Sequence, residues 1–495
     1  MRIRQKLEYH KQRDAFVGDV DMGSELEHLT PNSETETLAN SVFCFLLCGL
    51  HAKYKIPVGY FFTKGCTGEQ LKEVIDHVVQ KATDIGFDIV RVVTDNHRIN
   101  VTAMQILCQG DANITAPQPA DSSNSIFLSF DQSHIIKNIR SQFLAKDIGG
   151  TKEISFNYIK MLYKMQRNST VKPIRFLTRK HLYPSNVEKM NERSAVQLFG
   201  VAVTAALKYL KDQADHTCDL EFASAGPTIK FMEAMQKWFT LMDVSNCQQH
   251  IHCNNEDTRH FTDVDDSRLN WLEDDLLSYI DTLKNASKPE NFLSKETCHA
   301  LIFTTKSNVA CIRHLLTAKC FRFVLTRKMS SDPIEAMFGF LRRSARCNDM
   351  LDVSRAVCGL EKMLKTGIVA SSSDSNVQSS TTFSSRQLLP VQQELHELVK
   401  LLIGLRRFVD CVLPHRRSVA KPLELCVQRI LRQLVSLPVL TCGNTDADHR
   451  RELLLLITRK FIRPLFSNFA QGVTDRNAAA KLLEMKTLSR KVLKL

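Results

Sequence analysis

The spacing of apolar positions changes character along the chain. Up to about residue 141, short β-branched and aromatic runs alternate with helical segments; beyond residue 152 the apolar spacing is three to four almost throughout. RIRQKLEYH alternates in part and AFVGDVDMG is a short apolar run ending in glycine, so both predict strands. Residues 24–37 are acidic and polar and predict a loop. Residues 41–50 and 56–62 are rich in β-branched and aromatic side chains and predict two more strands. GCTGEQLKEVIDHVVQKATDIGF predicts a helix, with Thr67 as cap, Gln70 three residues later, and an apolar stripe of Leu71, Val74, Ile75, Val78 and Val79. Ile89, Val90, Val92 and Val93 predict a buried strand that stops at Thr94-Asp95, with Asn96 and His97 in a turn. A Gly/Pro/Ser-rich loop over 110–124 precedes SIFLSFD, a strand ending at Asp131. HIIKNIRSQFL then predicts a basic helix carrying His134, Lys137, Asn138 and Arg140. This first region is an α/β layer.

From residue 152 the pattern is all-helical to about residue 246: FNYIKMLYKMQ, ERSAVQLFGVAVTAALKYL and TIKFMEAMQKWFTLM have the look of an insertion. After a polar segment over 247–267, WLEDDLLSYIDTLK and SKETCHALIFTTKSNVACIRHLL are helical, and CFRFVLTRKMS leads into SSDPIEAMFGFLRRSAR. Residues 371–385 form a Ser-rich stretch that cannot bury a core. Beyond it the chain is helical again, with Leu395, Leu398, Leu402 and Leu405 on one face.

Composition narrows the partners. Across 495 residues, 43% hydrophobic and 24% charged content suffices for packed domains, and a formal net charge of +13 favours a polyanion, nucleic acid first. Fifteen cysteines without regular spacing and a polar N-terminus predict free thiols in a reducing compartment. No apolar run reaches membrane-spanning length, so no membrane partner is expected.

Two carboxylate-bearing stretches carry candidate chemistry. Asp95 ends a parallel-type strand, where open α/β sheets place their sites, although an Asx-turn explains it better on local grounds. In SSDPIEAMFGF, Asp332 and Glu335 share the first turn of a helix. Asp332 as N-cap, Pro333 at the first helical position and Glu335 closing a capping box is the structural alternative to a metal-binding carboxylate. Convergent carboxylates holding divalent ions are what phosphodiester transfer requires. Cys247, His250, His252, Cys253 and His260 lie close together, but Cys-x2-His-x-His-Cys is not a usual zinc spacing, and a polar loop explains them better.

The segments KQRDAFVGDVDMG, VVTDNHRIN, FDQSHIIKNIR, KMNERSAVQLFGVAV and LTRKMSSDPIEAMFGFLRR resemble the P-element-type DNA transposases, the family that includes the THAP-domain transposases. FIRPLFSNF is similar too. The resemblance implies an α/β plus all-α fold: an RNase H-like domain interrupted by a helical GTP-binding insertion domain and followed by a helical C-terminal region. It divides the chain into 1–141 (RNase H-like, first part), 142–265 (GTP-binding insertion), 266–370 (RNase H-like, second part), 371–387 (linker) and 388–495 (helical). It implies metal-dependent DNA cleavage and strand transfer at transposon ends, with Mg2+ or Mn2+ and GTP as cofactors, in a nuclear homo-oligomer. Asp95 and Glu335 correspond to the second and third catalytic, metal-binding carboxylates. Asp332 corresponds to an aspartate near the nucleotide and its metal, and Asp243 is the candidate for reading guanine. The family's first catalytic aspartate, in an Asp-Glu-Met sequence, falls just ahead of Arg2. The chain as written begins at Met1, and nothing in it has the Cys/His arrangement of the THAP module. An impaired catalytic site is therefore expected, Asp19 and Asp21 being poorly placed to substitute. The alternative is a domesticated, non-enzymatic DNA- or GTP-binding protein.

Overall fold

The computed structural model describes residues 1–10, 15–30, 37–51, 54–110, 113–119, 124–167, 174–217, 221–344 and 350–366. The expected linker over 371–387 and the C-terminal domain over 388–495 lie outside the described residues.

Three strand groups form the β part. β1 (Glu8–His10) and β2 (Ala15–Val17) are antiparallel, as are β3 (Ser41–Cys48) and β4 (Lys55–Thr63). Single bridges extend the second pair on both sides, Arg2 beside Ser41 and Asp21 beside Phe62. The third group has the order β5–β7–β6, from β5 (Arg91–Thr94), β6 (Thr115–Pro117) and β7 (Ser125–Phe130). β5 and β7 run parallel, with Thr94 opposite Phe130, so Asp95 and Asp131 leave neighbouring strands at the same edge. β6 falls inside the stretch expected to be loop; it is a three-residue antiparallel edge ending at Pro117, too short for a period to show.

α1 (Gly68–Asp84) starts in the expected capping box: Gln70 N donates to Thr67 Oγ1 at 3.2 Å, and Thr67 N donates to Gln70 Oε1 at 3.0 Å. α2 (Arg98–Leu107) replaces the turn expected after His97. Its buried Ala103, Met104 and Leu107 have helical spacing and pack into the main core. α3 (Gln132–Ala145) follows β7 directly, capped by Asp131.

The helical excursion comprises α4 (Asn157–Arg167), the short α5 (Arg179–Leu182) and α6 (Asn186–Lys189), α7 (Glu192–Phe199), α8 (Val201–Thr217) and α9 (Gly226–Met242). After α10 (Gln249–Cys253), a rod runs from α11 (Ser267–Asn270) through a π-turn at Trp271–Leu276 into α12 (Leu277–Ala286). α13 (Lys295–Thr317), α14 (Asp332–Ser344) and α15 (Val353–Thr366) complete the described chain.

The excursion closes back through its core. Phe143 of α3 stands 5.4 Å from Phe156, 6.1 Å from Phe199 and 5.6 Å from Phe231, ring centre to ring centre. Buried Trp238 of α9 donates to Thr305 of α13 at 2.9 Å, and Phe130 N of β7 donates to Thr304 Oγ1 at 3.0 Å. A second core joins Val42 and Phe62 of the β3–β4 pair to Met337 and Leu341 of α14 and to Val357 and Leu360 of α15. α14 is therefore held by its apolar face, which leaves the polar first turn free to meet β7 and α3.

Arg140 of α3 is 1% exposed and donates to three carbonyls of the excursion, Glu188, Lys189 and Asn191. Among the described residues its partners are these carbonyls, with no carboxylate bonded to it. Arg140→Ala should cost about 2–4 kcal/mol in unfolding free energy, since it removes three hydrogen bonds made by a charged, buried donor. The loss should show as faster amide exchange over residues 185–195; unchanged exchange there would contradict this reading.

Candidate functional site

β7 ends at Asp131, which is 1% exposed. Its Oδ2 accepts from His134 N at 3.0 Å, a helix N-cap, and its Oδ1 accepts from Ser331 N at 2.8 Å, 200 residues away. That second bond pins the entry of α14 to the strand edge. His134 and Glu335 then face one another, with Nε2 and Oε1 2.7 Å apart. The ligand atoms of Asp131, His134 and Glu335 all lie within 4.8 Å of one another, which among the described residues makes this the group of His, Cys, Asp and Glu able to hold a metal ion.

The expected capping box at α14 is not what forms. Asp332 is the first helical residue, and the amides of Ile334 and Glu335 bond the Ser331 carbonyl. Its carboxylate turns to Arg327, Oδ2 to Nη2 2.9 Å, because a buried guanidinium offers a charge-assisted bond that a backbone amide does not match. Arg327 Nη1 also reaches both oxygens of Asp243, at 2.8 and 3.1 Å. Asp243 follows the last residue of α9, and Val244 N bonds Thr326 Oγ1 at 3.0 Å beside it. One arginine thus joins the end of the excursion to the helix that bears Glu335.

Asp95 stands at the end of β5, as expected, but outside the Asp131 group. Its Oδ1 accepts from Asn100 Nδ2 and from His97 N at 3.2 Å. Asp332 and Asp243 share one guanidinium. Sequence reasoning missed Asp131 and His134 as site residues, although SIFLSFD ends in aspartate just as RVVTD does. Among the cysteine–histidine cluster, the rings of His250 and His260 are 6.2 Å apart, and no metal-binding group of three forms there among the described residues.

Charge in the site is strongly perturbed. Burial pushes the Glu192 carboxyl up to about 7, helped by Asp332 and Asp243. Burial likewise pushes Asp243 up to about 7 against the pull of Arg327. Asp332 is raised by burial and by Asp131 and Glu335 despite Arg327. Glu335 goes the other way: burial opposes its ionisation, but the His134 hydrogen bond and Lys137 outweigh it. Burial pulls the His134 imidazolium down, and the Glu335 bond more than reverses that. Burial thus favours the protonated form of the three carboxyls around Arg327, whereas the His134–Glu335 contact favours the charged form of both its partners.

The comparisons with known proteins agree with this layout. A family model described as the TNP-like RNase H N-terminal domain matches residues 1–108, and one described as the TNP-like GTP-binding insertion domain matches residues 133–255. The chain is 25% identical over 256 residues to DNA transposase THAP9 of Homo sapiens, covering 50% of this chain and 27% of that protein. It is 21% identical over 301 residues to the Transposable element P transposase of Drosophila melanogaster, covering 59% and 37%. The matched stretches thus span only 27% and 37% of those relatives' lengths. The solved Drosophila P element transposase strand transfer complex aligns with a TM-score of 0.58 at 18% identity, over 73% of this chain and 74% of that one, a likeness of fold. The class is thereby defined: an RNase H-like domain interrupted by a GTP-binding insertion domain. The chain carries these two domains and is similar to the P-element-type DNA transposases.

The raised carboxyls have a consequence with a definite sign. Their native values lie near 7, whereas unfolded carboxylates titrate near about 4. The native state holds protons that the unfolded chain has released, so stability falls as pH rises between those values and levels off above them. Glu192→Gln should raise the melting temperature at pH 8 and leave it nearly unchanged at pH 4. An equal shift at both pH values would contradict the assignment.

Proposed function

We propose that this chain forms the RNase H-like core and GTP-binding module of a DNA transposase, for metal-dependent cleavage and strand transfer at transposon ends. The observation that carries the reading is α14. Its first turn brings Glu335 to the edge where β5 and β7 deliver Asp95 and Asp131, while Asp332 meets Asp243 at the end of the insertion. The relatives, a DNA transposase and a transposase strand transfer complex, point the same way.

Asp95 and Glu335 are hard oxygen donors, a set that suits Mg2+ or Mn2+. Such ions, when bound, neutralise phosphate charge and activate the attacking oxygen. His134 orients Glu335, and Asp131 fixes the start of the helix that bears it. For the nucleotide, the reading takes Asp243 for the guanine edge and Asp332 for the side near the nucleotide's metal; both carboxylates bond Arg327 here, so the base would have to take the place of that guanidinium at Asp243. The net charge of +13 suits DNA, and the reading places the protein in the nucleus as a homo-oligomer.

A second reading, a non-enzymatic DNA- or GTP-binding protein on the same scaffold, is favoured by one contact. The Asp95 carboxylate is satisfied by Asn100 and His97 and stands outside the Asp131 group. Metal-dependent nicking of DNA that Glu335→Gln abolishes selects the transposase; DNA and GTP binding without nicking selects the second reading.

Equilibrium titration should show GTP bound at least about tenfold more tightly than ATP, the difference made by one well-paired polar edge. Asp243→Asn should erase that preference. Equal affinity for the two nucleotides in the unsubstituted chain would remove the insertion-domain part of the proposal.

A further inference from the structure

We propose that Asp131, His134 and Glu335 form a mixed nitrogen–oxygen divalent-metal site that favours Mn2+, Co2+ or Zn2+ over Mg2+. This rests on the reading of Glu335 as a metal ligand and goes beyond it by adding Asp131 and His134 and by choosing the ion.

Geometry comes first. Two ligands at right angles on an ion with bonds of about 2.1 Å stand about 3 Å apart. His134 Nε2 and Glu335 Oε1 are 2.7 Å apart, close to such a coordination edge. Asp131 completes the group within 4.8 Å. Each of its oxygens spends one lone pair on a backbone amide, His134 N or Ser331 N, and keeps a second for an ion. Those two amides lock the orientation of the carboxylate, which is the part outer partners play in built metal sites. The three ligands come from the end of β7, the first turn of α3 and the first turn of α14, and their backbones are already in place.

Donor chemistry then selects the ion. Mg2+ takes oxygen donors in a near-ideal octahedron and sheds water reluctantly, so an imidazole nitrogen in the set is a handicap. Imidazole suits Zn2+, and affinity for nitrogen donors rises through Mn2+ and Co2+ in the Irving–Williams order. Lys137, one turn along α3 and 8% exposed, adds positive charge beside the pair, while Asp332 adds negative charge from the other side. The site is therefore not so acidic as to hold any divalent ion indiscriminately. Without an ion, the same side chains bond each other, His134 Nε2 to Glu335 Oε1.

Metal-free protein titrated with Co2+ should develop a visible d–d absorption band, and Mn2+ should bind with quenching of its free-ion resonance signal. Competition should show Mn2+ held at least about tenfold more tightly than Mg2+. His134→Asp turns the set into all-oxygen donors and should bring the Mn2+/Mg2+ ratio down by about fivefold or more. Glu335→Gln should weaken both ions. The proposal is overturned if the unsubstituted chain gives neither signal, or if the ratio is unchanged in His134→Asp. It is also overturned if the cobalt band survives Glu335→Gln but vanishes in His250→Asn, which would assign the ion to the His250–His260 pair. Nucleotide preference measured on the same samples separates this failure from failure of the transposase reading: GTP still preferred over ATP with no Mn2+ selectivity sinks the mixed site alone.

Discussion

The buried carboxylate of Asp131 is the contact on which the arrangement turns. It ends β7, starts α3 through the His134 amide, and receives the Ser331 amide from a segment 200 residues later. A carboxylate buried to 1% exposure persists because its oxygens are satisfied by fixed donors. Remove it, and the β7 edge and the first turn of α14 lose their shared anchor. The apolar face of α14, Met337 and Leu341, would still hold the helix against β3 and β4. Its first turn, where Asp332 and Glu335 sit, would not be held in the same place.

Arg327 provides the matching constraint on the far side. It bonds Asp243 at the end of α9 and Asp332 at the start of α14, so the helical excursion and the carboxylate-bearing helix share one cation. Burial makes this arrangement costly, since three carboxyls face a single guanidinium and two of them are raised to about 7. A buried charge group seldom adds net stability. Its consequence is coupling: whatever binds at Asp243 changes the charge that Asp332 feels, and Glu335 shares the first turn of α14 with Asp332.

Much of this was legible in the chain. VVTD and DPIE announce a strand-end aspartate and a helix-start carboxylate by local rules, and the Thr67–Gln70 capping box forms as the spacing requires. What failed to show was tertiary in origin. The role of His134 depends on closure across 201 positions, and no local pattern distinguishes it from an ordinary first-turn histidine. The capping box expected at Asp332 gave way to Arg327, a competitor that lies five residues upstream but becomes available only once the 3-10 turn at Thr326–Met329 docks on α9. α2 went unread because Asp95, Asn96 and His97 signal a turn, although Ala103, Met104 and Leu107 carry a helical spacing directly after it. The strand-end signal at Asp131 was visible, and its second partner was not.

The most direct test of this account is hydrogen–deuterium exchange on Asp131→Ala beside the unsubstituted chain, read at peptide resolution. Exchange should quicken at residues 330–335 and at the start of α3, while α13 and the body of α9 keep their protection. Unchanged protection at 330–335 would mean that α14 is placed without Asp131, and would contradict the account at its root.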